Sequence, residues 1–355
     1  MSETPAGLLL QWYDRVKRDL PWRGISDPYR VWLSEIMLQQ TRVETVKSYY
    51  ARFLALFPTV EALAAAPREA VLKAWEGLGY YSRARNLHKA AQAVAADFAG
   101  RFPQSYEELV RLPGVGPYTA GAIASIAFGE RVPAVDGNVL RVASRFFGVR
   151  ADIAAPGTRG AIRALVQDAM PGERAGDYNQ ALMELGATVC SPLSPNCGAC
   201  PWEALCDARA EGDAESLPIH EKKRPPKKVD VAVCLLTHGN RVLVTRRKER
   251  LLHGLYVFAL LEEETEPERV RQLLSERGLD CSFVSALGTA RHVFTHRVWD
   301  MRLLHYRLNK PPDAETLDAL GARMADAAAL AALPLPAAMR AAREAALSLL
   351  TREGR

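Results

Sequence analysis

Two acids and a knot of cysteines are the residues of this 355-residue chain whose types and spacing could do chemistry. Glu35 stands in Ser34-Glu35-Ile36-Met37-Leu38-Gln39-Gln40-Thr41, and a helical reading puts Val31, Trp32, Leu38 and Gln39 on its face. A lone helical Glu more often faces solvent. Here the apolar neighbours disfavour the charged form, so the carboxyl is expected to hold a proton near neutrality and be able to donate it. Asp136 stands in Pro133-Ala134-Val135-Asp136-Gly137-Asn138-Val139, just before a helical-looking run from Asn138 to Phe147, where an Asp is also an ordinary helix cap. One protonated and one ionised carboxyl form the pair that splits a glycosidic bond: the first protonates the leaving group, the second supports a cationic sugar.

Cys190, Cys197, Cys200 and Cys206 are separated by six, two and five residues, with Pro192, Pro195, Gly198 and Pro201 shaping the path between them. Four soft donors on one short loop can enclose a four-coordinate zinc or an iron–sulfur cluster, and spacing alone does not choose. Cys234 and Cys281 stand apart in apolar surroundings and are read as buried thiols. Leu112-Pro113-Gly114-Val115-Gly116-Pro117-Tyr118-Thr119-Ala120 reads as a tight turn between two helices. Gly114 and Gly116 allow close backbone approach, and the next helix start offers unpaired amides to a phosphate, a contact blind to base sequence.

The elements that must position these residues fall into two blocks. From Leu8 to about Leu205 helical periodicity dominates, with alanine-rich stretches such as Ala62–Ala66 serving as good helix formers. A basic Pro-rich linker is expected over residues 221–228, because the charged Pro-Pro stretch cannot continue a helix. After it, Val229–Leu236 and Arg241–Thr245 read as a hairpin turning at His238-Gly239-Asn240, the second strand alternating inward and outward. An extended run over Arg291–Leu308 and helices near Glu268–Arg277 and Pro336–Leu350 complete an α+β block. The net charge is +5, and the pI of about 8.9 suits a local basic face. With no signal-like start and no long uncharged apolar run, a soluble cytoplasmic protein without membrane contact is expected.

In the order and spacing of these features, the chain resembles the adenine DNA glycosylases of the endonuclease III, or helix-hairpin-helix, superfamily. The resemblance implies an all-α helix-hairpin-helix glycosylase domain over 1–220 with a [4Fe-4S] loop at 190–206, one cluster per chain, and an α+β Nudix-like 8-oxoguanine recognition domain over 229–355. It implies a monofunctional enzyme that flips adenine out of duplex DNA, opposite 8-oxoguanine or guanine, and hydrolyses its glycosidic bond. Glu35 would then protonate N7 and later help activate water. Asp136 would stabilise or transiently capture the sugar, with Tyr118 bonding near the Asp and sugar and Asn138 orienting the acid or water. Bifunctional relatives carry a lysine nucleophile where this chain has Tyr118, and a phenol forms no Schiff base.

On the same footing Trp22 and Arg23 line the pocket, Gln180 contacts the flipped adenine, and Leu38, Gln40 and Tyr80 belong to the segments that wedge the duplex open. In the second block, Leu251-Leu252-His253-Gly254-Leu255-Tyr256-Val257-Phe258 resembles the opening of a Nudix-type fold. Glu262-Glu263-Glu264 and Glu266 lack the metal-holding arrangement of an active Nudix helix and are read as a solvated acidic loop. Arg291-His292-Val293-Phe294-Thr295-His296-Arg297 matches the family's lesion-reading loop, with Thr295 where Phe-Ser-His would be expected; Phe294 supports it and His296 donates to the lesion base. The expected partner is double-stranded DNA with A:8-oxoguanine or A:G mispairs, met by a monomer at the nucleoid. Two rivals stand beside this: a bifunctional lyase, and a metal-loop DNA-binding protein in which Glu35 and Asp136 are merely a surface acid and a cap.

Overall fold

The computed structural model describes residues 4–220 and 225–352; residues 221–224 of the expected linker lie outside them. Chain contacts divide the described residues into two compact units, one of 4–66 with 82–220, the other of 67–81 with 225–352.

The described elements up to residue 220 are helical: α1 (Pro5–Val16), α2 (Pro28–Leu38), α3 (Val43–Leu56), α4 (Val60–Ala65), α5 (Arg68–Ala74), α6 (Ser82–Asp97), α7 (Tyr106–Leu109), α8 (Pro117–Phe128), α9 (Gly137–Phe146), α10 (Thr158–Ala169), α11 (Ala175–Thr188) and α12 (Asp207–Ala210). Their starts follow ordinary capping chemistry. Asp27 accepts from Tyr29 N and Arg30 N ahead of Pro28, and Thr4 accepts from Gly7 N ahead of Pro5. In the first unit α8 packs on α2, α7 and α11, and α11 packs on α1 and α9. An apolar core including Leu9, Tyr13, Val139, Ile162, Tyr178 and Leu185 joins α1, α9, α10 and α11. Gly121 on α8 is a close-approach position, since a Cβ there would lie 2.4 Å from the carbonyl oxygen of Pro133. The chain just before Asp136 can therefore lie directly on α8.

The second unit is built on one seven-stranded sheet: β1 (Lys227–His238), β2 (Arg241–Arg246), β3 (Tyr256–Val257), β4 (Ala259–Glu262), β5 (Cys281–Val293), β6 (Arg297–Leu308) and β7 (Ala322–Ala325). The main path runs β3-β2-β1-β6-β5, with β4 also on β1 and β7 on β2; β1 and β6 are parallel and their neighbours antiparallel. Val229, Val231, Val233 and Leu235 face a core shared with α15 (Ala327–Ala332) and α16 (Arg340–Arg352). Ala232, Cys234 and Leu236 face another core holding Val270 and Leu274 of α13 (Pro267–Glu276). A short α14 (Ala314–Leu320) precedes β7.

Covering both faces explains one departure from the sequence reading. Val242, Leu243 and Val244 of β2 are all buried rather than alternating, because neither face meets water. Four others concern boundaries. Lys227 and Lys228, assigned to the linker, already lie in β1, paired in register with Arg297 and Val298. The extended run over 291–308 is two strands broken at Phe294-Thr295-His296, where Phe294 N donates to Arg297 O at 2.8 Å. In the acidic stretch Glu262 ends β4 and Glu266 caps α13. Residues 67–81, placed by sequence in the first domain, join the second unit: Lys73 Nζ donates to Ala331 O at 2.8 Å, Arg343 to Glu76 at 2.7 Å, and the Tyr256 hydroxyl to Glu69 at 3.0 Å. Cys234 and Cys281 are buried as expected.

Candidate active site

Glu35 occupies the middle of α2, a helix with eight of its eleven residues buried, and is itself 6% exposed. Desolvation dominates its titration and pushes its pKa up from 4.5 to about 7; the Tyr118 hydrogen bond and Arg23 pull it down, and the charge of Asp136 adds to the rise. Tyr118, in the first turn of α8, donates its hydroxyl to Glu35 Oε2 and also lies 3.4 Å from Met183 Sδ. The phenol thus bonds Glu35, where the resemblance had placed it beside the Asp. Burial and the two neighbouring carboxylates push the phenol's pKa well above its ordinary value.

Asp136 is the N-cap of α9, with Oδ1 accepting from Val139 N at 2.8 Å. Its Oδ2 takes the side-chain amide of Asn138 at 2.8 Å. Burial raises its pKa, and these hydrogen bonds together with Arg141 act against the rise. Asn138 is held in turn by Arg141, which donates to Asn138 Oδ1 at 3.0 Å, to Gly186 O at 2.7 Å and to Cys190 O at 2.8 Å. A continuous line of hydrogen bonds therefore runs from Asp136 to the first cysteine.

Arg23 places its charge near Glu35. Its Nη2 bonds Glu184 at 2.5 Å, Arg18 bonds that carboxylate at 2.6 and 2.9 Å, and Arg23 Nη1 is buried with no partner among the described residues. Burial pushes the pKa of Glu184 up, and the two guanidiniums more than reverse it. Trp22 is 7% exposed and packs edge-on against Tyr50 at 5.5 Å, a core contact. Gln180 is half-buried and donates to Gly176 O of its own helix at 3.3 Å. Leu38 closes α2, and Gln40 beyond it is exposed with φ 56°. That backbone conformation is costly for a residue with a Cβ, and such costs gather at functional positions. Gly114 (φ +75°) makes the turn before α8, where a Cβ would lie 2.4 Å from that of Asn86. Gly116 is the N-cap of α8 without a side-chain cap, in open space.

Several positioning residues escaped the sequence reading. Arg83, 8% exposed, donates to Ile36 O, Met37 O and Gln39 O at 2.9, 2.9 and 2.5 Å, capping the end of the Glu35 helix. Asn179, fully buried, ties down the chain before Asp136 through Ala134 N at 3.0 Å and Val132 O at 2.9 Å. The four clustered cysteines are unpaired, half-buried and line one cavity. No group of three or more potential ligands among the described residues is closed to metal-binding spacing. The donor set nevertheless fits a thiolate-held group: Arg145, buried, places Nη1 3.2 Å from Cys190 Sγ, and Trp202 N lies 3.4 Å from Cys200 Sγ, both stabilising negative sulfur.

In the second unit, Tyr80 has φ 47° and is 49% exposed, and its hydroxyl lies 3.2 Å from Thr295 Oγ1. Thr295 and His296 are exposed in the β5–β6 turn. Phe294 anchors that turn on Trp299 and His292, with ring centroids 4.9 and 4.5 Å apart.

A hairpin-led α8, a buried acid and a cysteine loop in one helical unit define a helix-hairpin-helix DNA-repair protein. The profile of the HhH-GPD superfamily base excision DNA repair proteins matches residues 33–167, and that of the NUDIX domain matches 231–345. A thermostable thymine-DNA glycosylase superposes with a TM-score of 0.54 at 31% identity, over 58% of this chain and 95% of that one. An endonuclease III trapped on DNA superposes with a TM-score of 0.50 at 24% identity, over 58% of this chain and 95% of that one, a likeness of fold. Curated adenine DNA glycosylases match at 37% identity in Mus musculus, over 86% of this chain and 70% of that protein. The Buchnera aphidicola protein matches at 31% over 85% and 86%, and the Homo sapiens protein at 37% over 82% of this chain and 64% of its own length. The chain belongs to the adenine DNA glycosylase family.

Proposed function

We propose that this protein excises adenine paired with 8-oxoguanine, or with guanine, from duplex DNA and leaves an abasic site. The observation that carries the reading is Glu35: a buried carboxyl whose pKa of about 7 lets it hold a proton at neutral pH, bonded to Tyr118 and within reach of Asp136's charge. With adenine turned out of the stack, the Glu35 proton passes to N7 and the C1′–N9 electron pair leaves with the base. Asp136 faces the cationic sugar, as stabiliser or transient nucleophile. Water then adds to C1′ and its proton returns to Glu35. Tyr118 holds the acid, Asn138 holds Asp136, Arg23 sets its charge near Glu35 in the pocket wall, and Gln180 is available to the base, with Trp22 packing behind. With tyrosine at 118, no lysine stands there to form a Schiff base, which favours monofunctional chemistry.

Leu38 and Gln40, in one strained turn, and Tyr80, in another, would fill the space the adenine leaves. Gly114 and Gly116 let a phosphate approach the first amides of α8. Phe294, Thr295 and His296 would read the opposing base, with the Thr295 hydroxyl already shared with Tyr80. Cys190, Cys197, Cys200 and Cys206 would hold one [4Fe-4S] cluster per chain, which would brace the loop against DNA. We infer that it works as a monomer at the nucleoid, in the cytoplasm.

Purified protein is incubated with a duplex bearing one A opposite 8-oxoguanine, and strand breaks are scored before and after hot alkali. Breaks that need alkali, and vanish in Glu35→Gln, are expected. Excision indifferent to Glu35 overturns the mechanism, and breaks without alkali favour a lyase. Iron and sulfide analysis should give about four of each per chain; zinc instead would overturn the cluster assignment.

A further inference from the structure

The second unit holds a concentration of positive charge that the reading above leaves without a use. Arg68, Arg246, Arg247, Lys248 and Arg323 line one cavity of about 300 Å³, with the ring of Tyr256 in its wall. Arg247 is balanced by Glu249 at 3.5 Å and Glu262 at 3.3 Å. Arg68, Arg246, Lys248 and Arg323 have no carboxylate within ion-pair distance among the described residues, and no acid lines the cavity. Like charges gathered around one concavity repel unless an anion sits between them.

The walls are also built rather than accidental. Arg323 stacks on Tyr256 with its guanidinium carbon 4.2 Å from the ring centroid. Arg246 Nε points at Gly254 O at 3.4 Å, which leaves its terminal nitrogens free for another acceptor. Two backbone bonds, Gly254 N to Arg247 O at 2.8 Å and Arg247 N to Leu255 O at 2.9 Å, close the loop between β2 and β3. Leu252 and Gly254 supply its left-handed turns, with φ of 61° and 77°. His253 Nδ1 lies 2.8 Å from Lys248 O, fixing the rim. Tyr256, the one phenol in the wall, has its hydroxyl committed to Glu69. Guanidiniums gathered around a small concavity suit phosphate oxygens, which take several donors at once.

We propose that this cavity is a phosphate-binding site. Its ligand is either a phosphodiester of the DNA backbone or the phosphate chain of a free nucleotide, the chemistry at the cavity being the same. The inference does not depend on adenine excision.

The test uses the full chain and two probes, inorganic triphosphate followed by calorimetry and a short undamaged duplex titrated at several salt concentrations. Arg246→Gln/Lys248→Gln is compared with Arg269→Gln/Lys310→Gln, which removes the same charge from exposed positions outside the cavity. Equal unfolding midpoints establish that both fold. If the ligand is a free phosphate chain, the cavity variant loses triphosphate affinity at least tenfold while its duplex affinity matches the control. If it is a backbone phosphodiester, the variant binds duplex more weakly and its log K against log salt slope falls by about one beyond the control's. Cavity and control variants that match the wild type, or each other, on both probes overturn the proposal.

Discussion

Burial of Glu35 fixes a measurable coupling between pH, stability and rate. The folded carboxyl titrates at about 7 against an ordinary 4.5. A raised carboxyl pKa means that the folded protein binds the proton more tightly than the unfolded chain. The resulting stability is fully present below 4.5 and is lost as pH rises to about 7. At 1.36 kcal/mol per pH unit, the interval from 4.5 to about 7 is worth roughly 3 kcal/mol. Glu35→Gln keeps the shape, stays neutral and can still accept from Tyr118, so it escapes this loss. Denaturant unfolding should show the variant gaining about 3 kcal/mol on wild type between about pH 4 and pH 8. In the proposed mechanism the same proton is the one spent on adenine. Initial excision rates at subsaturating concentrations, which report the free enzyme, should fall about tenfold per pH unit above about 7, and the variant should lose two or more orders of magnitude. A stability difference that stays constant across this range, or a wild-type rate that stays flat, would refute the assignment of a buried, protonated Glu35.

Tyr118→Phe removes a hydrogen bond that lowers the Glu35 pKa, so the alkaline limb of that profile should move to higher pH. Asp136→Asn removes a charge that raises it, so the limb should move to lower pH. Because Asn also caps helices, stability should change by less than about 1 kcal/mol while excision falls at least a hundredfold. Arg145→Met strips donors from Leu217 O, Ser191 O and Pro192 O. Unfolding should become easier by about 3 kcal/mol or more, with limited proteolysis cutting first inside the cysteine loop. Thr295→Val breaks the bond to the Tyr80 hydroxyl and should lower the ratio of A:8-oxoguanine to A:G excision while leaving A:G excision unchanged.

Much of this was legible because it is local. The apolar residues around Glu35 forecast a buried helix, and α2 is one. The run from Val229 forecast a strand, and its unbroken apolar stretch reflects a core on each face. What stayed hidden is held by distant partners. Arg18 and Glu184 are 166 positions apart, so no window of sequence reveals their clamp. Arg83 reads as one more helical cation until its guanidinium is seen on three carbonyls of another helix. Lys227 and Lys228 look like linker because their side chains are polar and exposed, while their backbone is recruited by Arg297 and Val298. The break at 294–296 carries no Gly or Asn turn signal; Phe294 makes it by packing on Trp299.

Being the cap of α9 does not bar Asp136 from the proposed role of second carboxylate. A cap commits one carboxylate oxygen to the helix, here through Val139 N, and so fixes the direction of the carboxylate without altering its charge. The second oxygen is met by Asn138, whose own carbonyl is held by Arg141. A freely rotating side chain would have to be ordered by substrate, at a cost in entropy. This one is ordered by folding, so in the proposed mechanism its field would already be aimed when a sugar cation forms, which is the condition for electrostatic stabilisation to lower a barrier. Arg141 also holds Cys190 O and Gly186 O. The geometry of the carboxylate is thus set by the same contact that fixes the start of the cysteine loop, and disturbing that loop should register in the excision rate as well as in DNA affinity.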